Sequence, residues 1–395
     1  SNRGLSQLMD ISSMLIEDYP DGDEMTYMML GRGENLGITF GESRAMRKIF
    51  MLLKPKCIYD IAVCLALVRP CASGGGQKAE FLRDYRLFDR GVFTRENGLD
   101  YLIFDDDAIQ YIGRILGISE GEADVYRKAF AKNRWDKKAE FIYLLKNKHQ
   151  EFSEEKIQLI VSLLEQLQLY SFCKSHAYSY AYLVYALAYQ KVHNSKVFWL
   201  SALNNCNSSF RRWVHFREAK NVGIKLNLGR RPWTLKNNNL ISSGIQLKLI
   251  SDPVQEYFEY GYWISDEFMP NCYAEYYRDI PVMPKRRTKK GETPVVERVY
   301  LEPVDMVRFR GMVACGRNFN AEKRMEKAKQ LDGGEPITPI KTNKMITFLT
   351  IGVADSSYLD LVLYGCYPVS KIIIIEGEGL LKDKDTVPYV QVIRL

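Results

Sequence analysis

The chain has 395 residues, of which 46% are hydrophobic and 26% are charged, and its formal net charge is +7. These values are ordinary for a globular protein with two or three domains, and the chain has neither a membrane-length apolar run nor a CxxC cysteine pair, which disfavours membrane insertion, disulfides and zinc sites. We therefore expect a cytoplasmic protein with reduced thiols and no membrane partner, whose positive charge is compatible with a polyanionic ligand but does not establish one.

Residues 1–35 are too few to form a domain. They contain an amphipathic helical pattern at residues 5–16, an acidic turn at residues 18–24, and then an apolar run followed by glycines. We interpret them as a connector from a preceding domain of a longer chain.

Two helical patterns follow. Ser43 begins a helix that carries Arg44, and residues 60–68 form a second, almost wholly apolar helix that ends at Arg69 and Pro70. An arginine at the end of an apolar helix can be directed at a ligand, or it can satisfy the last carbonyls of its own helix. Position alone leaves both interpretations of Arg69 open.

Three consecutive aspartates, Asp105, Asp106 and Asp107, precede the next helical pattern. Clustered carboxylates can hold magnesium, but acidic residues in the first turn of a helix also oppose the helix dipole. We favour the second interpretation, in which the aspartates cap the helix.

A basic helix is predicted after Ser119, which forms a capping box with Glu122. The helix carries Arg127, Lys128 and, one turn later, Lys132. These cations do not all share one face, although an oblique groove could gather them around a triphosphate. On the residues alone, a solvated basic face is the usual outcome for such a run.

The most distinctive stretch is residues 171–193. It places Lys174, Ser175 and His176 at the start of an aromatic, apolar helix that is expected to be buried. A cation, a hydroxyl and an imidazole beside free backbone N–H groups can bind an anion such as phosphate. The alternative is an ordinary N-cap serine and a hydrogen-bonded core histidine.

Taken in order, these segments resemble the fingers region of the α subunit of bacterial DNA polymerase III, a C-family replicative polymerase. The matching segments are ESRAM at residues 42–46, the apolar helix and its RP at residues 60–70, the basic helix at residues 117–132, and the stretch from Phe172 to His193. The family has Gly-Pro where this chain has Cys71 and Ala72, and it has arginine at the position of Lys128. The resemblance covers residues 37–225 well and residues 300–395 moderately.

This resemblance implies that the fingers bind the triphosphate of an incoming deoxynucleotide (dNTP). The implied nucleotide-binding residues are Arg127, Lys128, Lys132, Lys174, Ser175 and His176, with Arg69 and Arg44 in support. Lysine at position 128 offers a point charge where arginine would offer a bidentate fork.

The resemblance also implies phosphoryl transfer with two magnesium ions, held by an aspartate triad in a palm domain that this sequence does not contain. No catalytic residue and no metal ligand is therefore expected in this chain, and Mg²⁺ would be supplied through the missing palm. The chain alone is not expected to polymerise DNA.

Residues 227–299 diverge from the family, which has a helix-hairpin-helix module in this interval. Here there is a tyrosine-rich stretch at residues 257–277 and a strongly basic loop from Lys285 to Lys290. Composition leaves open whether this loop is a solvated linker or contacts phosphates.

From residue 300 the pattern alternates between apolar and polar residues. Five strands are expected, at residues 305–313, 344–353, 358–364, 370–376 and 387–394, which indicates an OB-fold barrel and resembles the OB domain of the same family. OB-folds bind single strands through basic grooves and stacking aromatic side chains. The candidate DNA-binding residues are Lys191, Arg308, Arg310, Lys341, Lys344, Phe348 and Tyr364.

We thus predict an α+β multidomain chain: a connector at residues 1–35, helical fingers at 36–226, a shortened connector at 227–299 and a five-stranded OB barrel at 300–395. As part of a C-family replicative DNA polymerase, it would bind primer-template DNA, single-stranded DNA and dNTP. Its expected partners are the sliding clamp and other replisome subunits, although no clamp-binding motif is recognisable. The alternative is a non-catalytic accessory or relic subunit that binds single-stranded nucleic acid.

Overall fold

The computed structural model describes residues 2–69, 77–85, 99–168, 172–205, 208–242, 247–248, 250–265, 268, 271–279, 282–287, 295–300, 304–320, 345–353, 357–382 and 387–395. They form two compact units that divide between Ser208 and Ser209. The first unit is helical and the second contains the described strands, which confirms the predicted α+β class. The boundary placed at residue 226 follows the family's domain organisation and stays a prediction. No described helix is both long enough and apolar enough to cross a membrane.

Helices dominate the first unit. They are α1 Asn2–Ile11, α2 Glu24–Gly31, α3 Arg44–Leu53, α4 Ile58–Leu67, α5 Gln77–Asp84, α6 Asp105–Leu116, α7 Glu120–Ala131, α8 Trp135–Lys148, α9 Glu154–Glu165, α10 Lys174–His193 and α11 Ser195–Asn205. The prediction of a helix at residues 5–16 is wrong at both ends, since α1 begins at Asn2 and ends at Ile11. The Ser12 hydroxyl accepts a hydrogen bond from the Met14 amide, so a local side-chain contact replaces the helical pattern there.

Two cores hold the helical unit together. Helix α10 contacts α1, α2, α4 and α11, and its buried residues include Ala181, Val184 and Leu187, which confirms that this helix is buried. A second core, formed by α6, α7, α8 and α9, includes Phe130 and Phe141. The two cores meet the requirement that each apolar helix face be covered by another element.

Capping residues define where several helices begin. The Ser119 hydroxyl accepts a hydrogen bond from the Glu122 amide at 3.3 Å, and Glu122 Oε2 accepts one from the Ser119 amide at 3.0 Å. The predicted capping box of α7 is confirmed. Ser43 and Ser153 cap α3 and α9 in the same way, each accepting a backbone N–H three residues ahead.

In the described part of the second unit there are two helices, α12 Arg212–Asn221 and α13 Pro253–Tyr260. Its first strands are β1 Trp233–Lys236, β2 Asn239–Ser242, β3 Tyr273–Asp279, β4 Val282–Arg287 and β5 Val295–Tyr300. The remaining strands are β6 Val304–Asn320, β7 Met345–Gly352, β8 Tyr358–Tyr364, β9 Ile374–Lys382 and β10 Tyr389–Arg394. Strands β1 and β2 pair with each other, and so do β4 and β5.

The last five strands form a ring of pairings. The first part of β6 pairs with β9 and its second part pairs with β7; β7 pairs with β8, β8 runs parallel to β10, and β10 pairs with β9. Their inward residues, among them Val307, Phe309, Leu349, Leu361 and Val390, make one core. The five predicted strands are confirmed, and the arrangement is consistent with an OB-like domain.

Several boundaries and elements differ from the prediction. Strand β6 continues to Asn320 because a bulge between Val313 and Cys315 lets it leave β9 and follow β7. Strand β9 begins at Ile374 because a turn precedes it, in which the Lys371 amide donates to the Pro368 carbonyl. Strand β3, drawn from the tyrosine-rich stretch, pairs along β6 and was not expected.

The predicted basic loop is also corrected. Lys285, Arg286 and Arg287 lie on strand β4 and pair with β5, so they are not part of a loop. Residues 288–290 lie outside the described residues, as do the candidates Lys341 and Lys344.

Candidate functional site

The starts of α6 and α10 lie side by side. The Asp105 amide donates a hydrogen bond to the Phe172 carbonyl at 3.2 Å, and the Lys174 amide donates one to Asp106 Oδ2 at 2.9 Å. A carboxylate of α6 therefore caps α10, although the two residues are far apart in the chain. The Arg69 guanidinium lies over the Phe172 ring, 4.5 Å from its centroid, and adds a cation at the same place.

Helix α7 carries two more cations, one of which faces the start of α6. Arg127 Nε donates a hydrogen bond to Asp124 Oδ1 at 2.7 Å, and Lys128 Nζ lies 2.6 Å from Asp124 Oδ2. Arg127 Nη1 is 3.8 Å from Asp105 Oδ2. Arg127 therefore faces carboxylates of both α6 and α7, Lys128 shares Asp124 with it, and Lys174 and Arg69 lie at the start of α10. We refer to these four cations as the cluster.

The aspartates at this site have unequal environments. Burial raises the pKa of Asp107 to about 6, even though the backbone amides of Phe104 and Ile103 donate hydrogen bonds to its carboxylate. Burial also acts to raise the pKa of Asp124, but the hydrogen bonds from Lys128 and Arg127 outweigh it and lower that pKa. Because Asp106 and Asp107 both accept backbone N–H groups at helix starts, the capping interpretation of these two residues is confirmed.

The remaining predicted nucleotide contacts lie at the start of α3, at the end of α7 and in the first turn of α10. Lys132 follows the last residue of α7 and is exposed, and Ser175 and His176 are exposed in the first turn of α10. Among the described residues, no hydrogen bond or ion pair joins Lys132 or His176 to the cluster. Arg44 is the first residue of α3, directly after its N-cap Ser43.

Lys191, a predicted DNA contact, is engaged within the helical unit. Its ammonium donates hydrogen bonds to the carbonyls of Glu34 at 2.6 Å and Leu36 at 2.8 Å, and it lies 5.0 Å from the Trp199 ring centroid. These contacts fasten the segment after α2 to α10. A DNA contact by Lys191 stays a prediction.

Two predicted cations of the second unit also have acidic neighbours. Arg308 lies 4.0 Å from both Glu275 and Glu378, and Arg310 Nη1 is 2.5 Å from Glu376. Each arginine therefore has a neighbouring carboxylate that a nucleic-acid phosphate would have to replace.

The outer face of β6, β7 and β8 carries aligned side chains. Strand register places Arg317, Phe348 and Val362 in one row, and Phe319, Ile346 and Tyr364 in the next. Because the alternate residues Leu349, Leu361 and Leu363 point into the core, both rows face outward. Tyr364 is 63% exposed.

Sequence reasoning found Phe348 and Tyr364 but missed Arg317 and Phe319, which lie on the part of β6 beyond the expected strand end. The Arg317 guanidinium is 6.0 Å from the Phe348 ring centroid, and the rings of Phe319 and Phe348 are 6.4 Å apart. Residues 315–320, Cys-Gly-Arg-Asn-Phe-Asn, show no alternation of polar and apolar residues, so the sequence carried no local signal for either residue.

Comparison with known proteins matches residues 5–152 to a family described as the bacterial DNA polymerase III alpha subunit finger domain. The DNA polymerase III subunit alpha of Thermotoga maritima is 28% identical over 56% of this chain and 26% of its own length. That of Halalkalibacterium halodurans is 29% identical over 54% of this chain and 20% of its own length. An error-prone DNA polymerase of Saccharophagus degradans is 30% identical over 47% of this chain and 19% of its own length.

The chain therefore spans about a quarter or a fifth of the length of these relatives. Arg69, Arg127 and Lys128 lie inside the matched residues 5–152, whereas Lys174 lies beyond them.

Proposed function

This chain contains a fingers region of the DNA polymerase III alpha subunit type, and from this premise we propose that it binds the triphosphate of an incoming dNTP during DNA synthesis. The proposed contacts are Arg127, Lys128 and Lys174, with Arg69 behind them and Lys132, Ser175, His176 and Arg44 at the periphery. The chain would act as part of a DNA-directed DNA polymerase, with primer-template DNA and replisome subunits, including the sliding clamp, as its partners.

One observation carries this proposal: a single carboxylate, that of Asp124, holds both Arg127 and Lys128 within hydrogen-bond distance. Two cations that can reach the two oxygens of one carboxylate can also reach neighbouring oxygens of a phosphate chain. The N-terminus of the 20-residue helix α10 contacts Asp106, the neighbour of the Asp105 that pairs with Arg127, and adds a positive partial charge. The combination of an arginine, lysines and a helix N-terminus suits a polyphosphate.

Phosphoryl transfer also uses magnesium ions, which neutralise the charge that develops on the phosphates. Among the described residues, no group of three or more His, Cys, Asp or Glu side chains could hold a metal ion. Asp106 and Asp107 use their carboxylates to accept backbone N–H groups. These residues do not fit a magnesium site, so we assign to them only the positioning of helices around the triphosphate.

Nucleotide binding tests the proposal. We would titrate a non-hydrolysable dNTP into the chain with primed DNA present, comparing wild type with an Arg127→Ala, Lys128→Ala double variant. We expect about a tenfold to hundredfold weaker triphosphate affinity in the variant, because two charge-assisted contacts are lost.

The matched control is an Arg114→Ala, Lys146→Ala double variant. It also removes an ion-paired arginine and an ion-paired lysine from the helical unit, in this case from the pairs with Asp100 and Glu154. The control should bind the triphosphate as wild type does. Equal losses in both double variants, or no loss in the first, would contradict the assignment.

For the second unit we propose that the β6–β7–β8 face of an OB domain binds single-stranded template. The outward Phe348 and Tyr364, together with Arg317 and Phe319, offer stacking surfaces next to a cation. Arg308 and Arg310 lie on the first half of β6, and Lys341 and Lys344 would add charge between β6 and β7. Stacking and backbone charge are the means by which OB-folds bind single strands.

A fluorescent single-stranded oligonucleotide tests the barrel face. Phe348→Ala and Tyr364→Ala should each weaken binding by ~1–3 kcal/mol, the usual contribution of one stacked base. Tyr276→Ala is the control, since Tyr276 is an exposed tyrosine on β3 of the same sheet. Oligonucleotide binding without any triphosphate binding would instead support the alternative, a non-catalytic accessory subunit.

A further inference from the structure

Asp124 occupies the position between the two cations that would meet the triphosphate. It lies one turn before Arg127 and Lys128 on α7, with N–O distances of 2.7 Å and 2.6 Å. An aspartate that precedes its cations by three or four residues on a helix is in the favourable orientation for pairing. The two pairs differ, however, in which atoms of the cation are used.

Asp124 contacts the guanidinium of Arg127 through Nε and not through its terminal nitrogens. Arg127 Nε donates to Asp124 Oδ1, whereas Nη1 lies 3.8 Å from Asp105 Oδ2, an ion pair too long for a hydrogen bond, and in the described part of the chain neither terminal nitrogen donates a hydrogen bond. The side chain is only 18% exposed, so the guanidinium has little freedom to turn. Arg114 shows the opposite arrangement, since it donates through its terminal Nη2 to Asp100. Arg127 therefore keeps the two-nitrogen fork that binds phosphate bidentately, while Nε is anchored.

Lys128 is held less firmly than Arg127. Its side chain is 59% exposed and has three equivalent donors on a flexible stem. A phosphate oxygen can therefore replace the Asp124 contact with Lys128 without disturbing the Arg127 Nε bond. The carboxylate of Asp124 then keeps its hydrogen bond to Arg127 and loses its contact with Lys128.

We propose that Asp124 is a positioning residue for the nucleotide: through its hydrogen bond to Arg127 Nε it aims the terminal nitrogens of that arginine at the triphosphate. The inference rests on the proposed function. It assigns a role to a residue that touches no ligand and acts only through Arg127.

Two substitutions of Asp124 distinguish the positioning of Arg127 from the effect of the negative charge of the carboxylate. Asp124→Asn retains an oxygen that accepts the Arg127 Nε hydrogen bond, whereas Asp124→Ala removes the acceptor. Both variants lose the negative charge that faces Lys128, so the comparison isolates the hydrogen bond to Arg127. Each variant would be titrated with a non-hydrolysable dNTP in the presence of primed DNA, alongside wild type and Arg127→Ala.

We expect Asp124→Ala to weaken dNTP affinity about tenfold and Asp124→Asn to stay within about twofold of wild type. Far-UV circular dichroism checks that the variants fold, and alanine favours the helix at this position. Should Asp124→Ala be unfolded, Asp124→Leu replaces it, because leucine has nearly the shape of asparagine but accepts no hydrogen bond.

The outcomes separate the two proposals. If Arg127→Ala loses affinity while Asp124→Ala binds as tightly as wild type or more tightly, the positioning role is refuted and the nucleotide site stands. The same holds if Asp124→Asn and Asp124→Ala lose affinity equally. If wild type binds no dNTP, or if Arg127→Ala binds it as wild type does, the proposed function fails and this inference fails with it.

Discussion

Asp107 makes the stability of the helical unit depend on pH. Burial raises its pKa from 3.8 to about 6, so between these values the folded chain holds a proton that the unfolded chain has released. The resulting stability is fully present below about pH 4 and is lost as the pH rises through about 6. At 1.36 kcal/mol per pKa unit, the loss amounts to at most ~3 kcal/mol.

Replacing Asp107 with asparagine should remove this dependence. The asparagine oxygen can still accept the backbone N–H groups of Ile103 and Phe104, which are 2.9 and 2.8 Å from the carboxylate. Its amide NH2 needs a partner in a buried place, at a pH-independent cost of ~1 kcal/mol. We therefore expect Asp107→Asn to be ~1 kcal/mol less stable than wild type near pH 4 and ~2 kcal/mol more stable near pH 8.

Urea denaturation across this pH range, followed by far-UV circular dichroism, measures the difference. Asp136→Asn is the control, because Asp136 is an exposed aspartate of α8 whose side chain is 64% exposed. The control shows how an aspartate-to-asparagine substitution at an exposed helix position changes stability. A stability difference between Asp107→Asn and wild type that stays constant with pH would refute the argument that Asp107 is protonated on folding.

Two further predictions concern packing. Glu165→Ala leaves the buried ammonium of Lys138, whose side chain is 3% exposed, without its counter-ion 2.8 Å away, and should cost ~3–5 kcal/mol of unfolding free energy. Lys138→Met removes the buried charge and should cost under ~1.5 kcal/mol of unfolding free energy. Urea denaturation measures both variants, and equal costs for Glu165→Ala and Lys138→Met would contradict the buried-pair argument. Gly316→Ala would place a Cβ 2.8 Å from Val369 Cγ1 and should destabilise the barrel by ~1–3 kcal/mol. Gly121→Ala has open space and should stabilise α7 by up to ~1 kcal/mol, and thermal unfolding distinguishes the two glycines.

The features that sequence reasoning predicted well depend on residues close together in the chain. The Ser119–Glu122 capping box requires only three residues of spacing, and the buried helix α10 is visible in apolar and aromatic residues that recur on nearly every face. The last five strands are visible because alternation is a local pattern. In each case the residues of one helix or strand are enough to predict it.

The errors arose where a partner from elsewhere decides the structure. Strand β3 exists because β6 pairs with it, and Lys285 lies on a strand because β4 pairs with β5. Strand propensity depends on such pairing more than on the residues themselves. The extension of β6 to Asn320 likewise depends on β7, which begins only at Met345.

The sequence by itself determined the relation to polymerase fingers, the helical and strand-forming segments, and the identity of most candidate cations, because each is a property of residue type and short-range spacing. Only the tertiary structure decided which cations come together. Asp106 caps α10 from another helix, and Arg127 of α7 lies 3.8 Å from Asp105 of α6. These contacts join residues that are far apart in the chain, so they depend on distances in space that no short-range spacing encodes.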